Sequence, residues 1–366
     1  MRITVSVTND LTIDQRVHKV CDTLQQNGYQ IKLIGCKLKK SKPLKREYDT
    51  FRIKLFFNKG FLFYAEYNIR LFLYLLFAKT DALLSNDSDT LPANYLASRL
   101  RKKTLIFDAH EMFPEVPEVI DRKVVKFIWT KIEDLIFPKL KYTYTVCQSI
   151  ADVYNSRYRM NMQVVRNIPF IEPVPNANPP IINSEGKKVI IYQGAVNLGR
   201  GIERIIDAMP FLDNYVFYIV GDGDVVDELK TRVKKLNMNE RVKFTGRVPF
   251  EQLAAYTQCA DIGINLLENK GLNYYYSLPN RIFDYIRSNV PVLSCNFPEI
   301  RRIVAYYEVG TLVDNYEPEF LAKTIREMSA QEKNLKGFAA ANAELSWENE
   351  SITLLKVIRK ALEKRR

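Results

Sequence analysis

A chain of 366 residues that is 47% apolar, with 14 glycines and 16 prolines, is too long for one comfortable core and too apolar for disorder, so it reads as two or three globular domains. Its 54 basic and 42 acidic residues leave a formal charge of +12, unevenly spread: residues 1–170 hold 28 basic and 17 acidic residues, net +11, and the remainder 26 and 25, net +1. Five widely spaced cysteines with no CxxC exclude a zinc ribbon or a disulfide scaffold.

They predict buried free thiols in a reducing, cytoplasmic setting, which also fits an N-terminus that enters a strand at once with no apolar leader.

That first strand, "RITVSVT", opens a series of short β-branched runs separated by helical patterns: "QIKLIG", "FRIKLFF", "DALLSND", "TLIFDAHE", "YTYTVC" and "MQVVRN". The helix "DQRVHKVCDTLQQNG" follows the first strand, with Asp14 as a candidate N-cap and Gly28 as its C-terminal stop. Six basic residues crowd "KLKKSKPLKR", Lys37 to Arg46. A solvated loop accounts for the run, but not for the imbalance of the whole first half, which suits an anionic membrane surface or an anionic acceptor.

Residues 56–79, "FFNKGFLFYAEYNIRLFLYLLFAK", test the membrane idea. Lys59, Glu66 and Arg70 interrupt them, and the longest uncharged run is far below the roughly 20 residues needed to span. They predict a helix buried in the core, with an interfacial face of Phe, Tyr and Leu as the functional alternative.

Residues 171–186 lie in a proline-rich stretch with no period, and predict a linker between residues 1–170 and 187–344. A second alternating series follows: "KVIIYQG", "YVFYIVGDG", "RVKFTGRV", "DIGINLL", "VPVLSC" and "GTLVD". Residues 345–366 read as a terminal helix. The expected fold class is α/β, two Rossmann-like domains in tandem, with functional residues just after the strands and a cleft between the domains.

Several candidates stand there. In "TNDLTIDQR", Asp14 and Arg16 follow the first strand. In "FDAHEMFPEVPE", His110 and Glu111 follow the fifth, where a histidine can donate to a sugar hydroxyl or phosphate or move a proton, or be a satisfied structural residue. The short "DSD" at 87–89 reads as a structural or cleft-edge loop rather than a metal pair. In the second half, Gly194, Gly199 and Arg200 of "YQGAVNLGRG" and Gly221 of "IVGDGD" form glycine turns that let a phosphate approach backbone. In "SLPNRIFDYIRSNVPVL", a helix begins near Pro279 and Arg281 and carries Asp284 one turn in. Its open amides suit a diphosphate and its carboxylate a ribose, where the bland reading is a surface Arg–Asp pair.

The order "DQRVHK", "FDAHE", "YQG…GRGIERIIDAM", "VGDGD", "VKFTGRVPFEQLAAYTQCADIGINL" and "SLPNRIFDYIRSNVPVL" resembles the retaining GT-B glycosyltransferases of family 4 over nearly the whole chain. The resemblance implies a nucleotide-diphosphate sugar held by the second domain, an acceptor hydroxyl at the first, retention of configuration, a terminal helix crossing back to the first domain, and no metal or cofactor. By the same resemblance Asp284 matches the second acid of the family's paired-acid motif, His110 a histidine near the donor sugar, and Arg200 a basic position facing the diphosphate. Arg247 and Val248 fall where the nucleobase is lined.

Two positions depart from the pattern. The motif's first acid falls at Tyr276, and the arginine after the first glycine at Ala195. This implies that Arg281 supplies the missing charge, and that Asn273, Ser277 or Asn280, beside Leu278 and Pro279, takes over sugar hydroxyls. The expected partners are the donor, a glycan or lipid-linked glycan acceptor and an anionic membrane surface, with no nucleic acid; the assigned role is surface-polysaccharide or glycolipid assembly. The alternatives are a nucleotide-sugar-binding protein with a decayed site and a GT-B-type epimerase.

Overall fold

The computed structural model describes residues 1–12, 14–38, 41–170, 182 and 184–363. Most of the predicted linker (171–181 and 183) lies outside these residues, as do Lys39 and Lys40 of the basic run and the last three residues of the chain. Two compact units emerge: Met1–Asn167 joined by the segment from Glu348 onward, and Ile168–Trp347.

Unit 1 is a seven-stranded sheet of β1 (Arg2–Asp10), β2 (Gln30–Lys37), β3 (Asp49–Lys54), β4 (Ala82–Asn86), β5 (Thr104–Ala109), β6 (Tyr142–Thr145) and β7 (Gln163–Val164). Its order is β3-β2-β1-β4-β5-β6-β7, every neighbouring pair parallel. The reversal of direction on either side of β1 makes the carboxyl ends of β1 and β4 the switch point at which such sheets hold ligands. The predicted α/β class and the parallel sheets are borne out.

Local chemistry explains the element ends. Asp14 caps the helix Gln15–Gln26, its side chain accepting from Val17 N–H, and Gly28 follows that helix at φ +83°. The strand expected through Phe57 stops at Lys54. Glu66 takes the N–H groups of Phe56 and Phe57 at 2.9–3.1 Å and pulls them out of the ladder. The "DSD" expected as a loop is instead the first turn of the helix Asp87–Leu100, where acidic side chains favour the positive end of the helix dipole.

The helix Gly60–Phe77 is apolar around most of its circumference. Tyr67, Leu71 and Leu75 are buried against Ile34, Ile53 and Leu83. The terminal helix Trp347–Glu363 is tied to unit 1 by Arg166, whose guanidinium reaches Glu350 at 2.6 Å.

Unit 2 repeats the plan with β8 (Lys188–Gln193), β9 (Tyr215–Val220), β10 (Val242–Gly246), β11 (Ile262–Asn265), β12 (Val292–Cys295) and β13 (Gly310–Val313), in the order β10-β9-β8-β11-β12-β13. The inner strands β8, β9, β11 and β12 are buried on both faces, as continuous runs such as "YVFYIV" require, and the edge strands β10 and β13 are half-buried. All five cysteines are free, four of them buried.

Candidate functional site

The carboxyl ends of β8 and β9 meet at glycines. Gly194, at φ +119°, donates its N–H to Val220 O at 3.0 Å. Gly221, at φ +148°, lies so close that a Cβ there would sit 1.9 Å from Gly194 O, a clash with backbone that no side chain could avoid. From these turns the chain runs through Gly199 and Arg200 into the helix Ile202–Ala208.

Against this loop lies the helix Asn280–Arg287. Pro279 precedes it and no side chain caps it, which leaves its first amides open. Arg281, in its first turn, is only 8% exposed. Its guanidinium lies 4.2 Å over the Tyr192 ring, and its Nη2 would meet a Cβ on Gly194 at 3.5 Å. Its Nη1 is buried with no hydrogen-bond partner. Arg200 stands 5.0 Å over the Tyr274 ring with a buried, unpartnered Nε. A buried donor left unused is costly unless something accepts from it, and an anion is the partner that would satisfy buried Arg281 and half-buried Arg200.

One turn further along the helix, Asp284 accepts from Gln193 Nε2 at 2.8 Å, and Gln193 Oε1 accepts from Thr257 Oγ1 at 2.7 Å. Gln193 and Thr257 are buried, so the relay fixes where the carboxylate points. Sequence reasoning missed both residues, because a glutamine at a strand end and a threonine on the next helix carry no spacing signal. It also missed Glu268. Burial by itself raises that carboxyl, but Arg204 at 3.0 Å and Lys270 at 3.3 Å outweigh it and hold the group below its ordinary range.

The other expected donor residues fall around this core. Ala195 is exposed beside Arg281's loop, its carbonyl taken by the Tyr192 hydroxyl at 2.6 Å. Tyr276 ends the short helix Leu272–Tyr275 and lies 5.2 Å from the Tyr275 ring. Ser277 spends its hydroxyl on Tyr274 O, Leu278 packs on the core near Ile282, and Asn280 is exposed. Val248 packs beside Tyr256, whereas Arg247 is 84% exposed and only loosely near Asp222, at 3.8 Å.

Unit 1 uses its strand ends differently. His110 donates its backbone N–H to Asp87 at 2.6 Å, and its ring nitrogens face Asp87 at 3.2 Å and Asp108 at 3.0 Å. Burial opposes the charged ring, but the two carboxylates prevail and push its pKa up to about 9. Burial also pushes the Asp87 carboxyl well above its usual range, so the ring and Asp87 form a proton-holding pair. Asp108 would be raised by burial, but Arg16 and His110 keep it below the usual carboxylate range.

Arg16, expected on the acceptor side, is buried. Its guanidinium makes two bonds to Asp108 at 2.8 and 3.0 Å and one to Val165 O at 2.8 Å. These three bonds hold it within the unit 1 network. Asp14 is committed as the helix cap and to Asn9, while Glu111 is exposed. Asp89 accepts from Thr8 at 2.5 Å. Among the described residues, no group of three or more His, Cys, Asp or Glu is placed to hold a metal ion, and no helix is long and apolar enough to cross a membrane.

Two Rossmann-like sheets, the second ending in stacked glycine turns beside arginines with unused donors, define the GT-B class of folds. Residues 176–344 match the model of the family "Glycosyl transferases group 1".

Over 134 residues the chain is 24% identical to alpha-monoglucosyldiacylglycerol synthase of Streptococcus pneumoniae; the match takes in 35% of this chain and 29% of that protein's length. The fold is similar to sucrose-phosphate synthase from Thermosynechococcus elongatus, with 14% identity, all of both chains covered and a TM-score of 0.77. It is also similar to Anabaena HepE in complex with UDP-glucose, with 13% identity, 98% of this chain and 100% of that one covered, and a TM-score of 0.73. The GT-B fold and the glycosyltransferase resemblance read in the sequence are borne out at that level.

Proposed function

We propose that the chain transfers a sugar, with retention of configuration and without a metal, from a nucleotide-diphosphate donor to a hydroxyl of a glycan or lipid-linked glycan. The observation that carries this reading is Arg281: a buried guanidinium with an unused donor, pressed against Gly194 at the uncapped start of the helix that bears Asp284. Arg281 and Arg200, with the helix amides, take the diphosphate, and charge developing on the leaving group strengthens those contacts in the transition state. Asp284, aimed by Gln193, takes the ribose hydroxyls, and Arg247 and Val248 line the base. Arg281 stands in for a cation at Ala195, which its position beside Gly194 supports.

Around the donor sugar, Tyr276 offers an aromatic face where a carboxylate would bind hydroxyls, so Asn280 and Asn273 assume that task. Within unit 1, His110 is held between Asp87 and Asp108 and keeps its role as a candidate sugar contact. The name of the pneumococcal relative favours a lipid acceptor, and the HepE complex favours UDP-glucose or a related donor. We place the reaction in surface-polysaccharide or glycolipid assembly at the cytoplasmic face of a membrane.

Thermal stabilisation by a panel of UDP-, GDP-, ADP- and TDP-sugars, with and without magnesium, tests the reading, since a ligand bound only by the native state raises the midpoint. A metal-independent shift with one nucleotide, lost in Asp284→Ala, and consumption of that donor with an acceptor lipid extract are expected. Tyr276 and Ala195 favour one competing reading, a binding protein with a decayed site. It predicts the same shift with no donor consumed.

A further inference from the structure

The outer helical layer of unit 1 presents apolar side chains that the fold does not use. The crossovers from β3 to β4 and from β5 to β6 travel the same way across the sheet, so right-handed connections put the helices Gly60–Phe77 and Lys123–Ile136 on one face of it. Tyr64 of the first meets Trp129 of the second edge-on at 5.4 Å, and Phe113 packs against both. Each helix buries one stripe: Tyr67, Leu71 and Leu75 in the first, Trp129, Glu133 and Ile136 in the second.

The opposite stripes are apolar too. In the first helix Leu62, Ile69, Leu73 and Phe77 recur at helical spacing and are exposed, Phe77 by 84%. In the second the exposed set is Val124, Phe127, Ile128 and Leu135, with Phe127 61% exposed. The loop before the first helix holds Phe56 outward at 83% exposure, and it is not a loose loop: Glu66 fixes its backbone and the Arg70 guanidinium lies 5.0 Å from the Phe56 ring. An aromatic ring held rigidly in water gains nothing within this unit, and exposed apolar stripes on two helices of one face mark a docking site.

Charge identifies the occupant. Exposed Lys59, Arg122 and Lys123 and half-exposed Lys131 flank these stripes against the acidic Asp121 and Asp134, the latter 3.9 Å from Lys131, in a half of the chain that is net +11. Lys131 Nζ lies 5.6 Å over the Phe127 ring, the pairing of aromatic body and cationic tip found where a helix lies in a headgroup layer. A second copy of so basic a face would be repelled.

We infer that this face, formed by the helices Gly60–Phe77 and Lys123–Ile136, docks on an anionic phospholipid bilayer. The inference rests on the reading above, in which the acceptor is lipid-linked, and deepens it by naming the surface. The aromatic residues enter the acyl boundary while the lysines and arginines stay among the phosphates.

Co-sedimentation of the full chain with phosphatidylglycerol–phosphatidylcholine vesicles tests this, using Phe77→Ser and Phe127→Ser against Tyr306→Ser, an equally exposed aromatic of unit 2. Expected is binding that weakens with salt and with falling phosphatidylglycerol, reduced about tenfold by either unit 1 variant and unchanged by Tyr306→Ser. No binding to the anionic vesicles, or equal loss in all three variants, overturns the inference. So does a concentration-dependent dimer that the unit 1 variants break, because the face then belongs to a second copy. The nucleotide-sugar thermal shift, run on the same samples, separates the two readings: vesicle binding lost with the shift intact rejects only the docking face. A missing shift with vesicle binding intact rejects only the donor reading.

Discussion

The two units share a strand order and spend their charges in opposite ways. At the strand ends of unit 1, Arg16, Asp108, His110 and Asp87 satisfy one another in a buried network. At the strand ends of unit 2, Arg200 and Arg281 are brought against glycine turns with donors left over. The same scaffold thus holds a mutually hydrogen-bonded charge network in one copy and arginines with unused donors in the other, the site proposed above for a diphosphate. A charged residue after a strand is a binding candidate only when its partners are missing.

Unit 1 breaks at its ion pair. Asp108→Ala strands the buried Arg16 guanidinium and should cost about 3–5 kcal/mol, read as an earlier urea midpoint for unit 1. Unit 2 should answer differently. Arg281→Ala removes a cation without leaving a carboxylate unpaired, so stability should change little while kcat/KM falls roughly 100-fold. A loss under about threefold would remove Arg281 from the site.

Finer resolution comes from the relay that aims Asp284. Gln193→Leu should lower kcat/KM about tenfold. Thr257→Val should lower it less, and not at all when added to Gln193→Leu, because the threonine acts only through the glutamine. Additive effects would mean that the two act separately.

The smallest effect is on pH. His110 has its folded pKa raised from 6.5 to about 9, so its contribution is complete below about 6.5 and is lost as pH rises through 9. Melting temperature should fall over that window in the wild type and fall less in His110→Gln. Equal slopes would show that the ring carries no extra proton in the fold.

Much of this was legible in the sequence. The alternation of β-branched runs with helical segments anticipated all thirteen strands, because buried parallel strands are continuous apolar runs. Their ends were less legible. Phe56 and Phe57 look like strand residues until Glu66, ten positions on, takes their amides. Asp87 reads as a loop residue until its φ of +56° starts a helix. Residues 60–77 form the core helix expected within 56–79 along one stripe, with a second apolar stripe exposed.

In the site, the glycine turns and the arginine-bearing helix could be read from local spacing. The partners could not. Whether Arg16 is spent on Asp108, 92 residues away, or Asp284 is held by Gln193, 91 residues before it, depends on how the sheets bring distant strand ends together.

In the reading proposed above, the Gly194 turn and the start of the Asn280–Arg287 helix hold a nucleoside diphosphate. Isothermal titration of the wild type, Arg281→Ala and Asp284→Ala with UDP, GDP, ADP and TDP in the presence of EDTA tests it directly. The account predicts one preferred diphosphate, bound without metal, with affinity at least about thirtyfold weaker in Arg281→Ala. Binding that is unchanged in that variant, or absent from the wild type with all four, would contradict it.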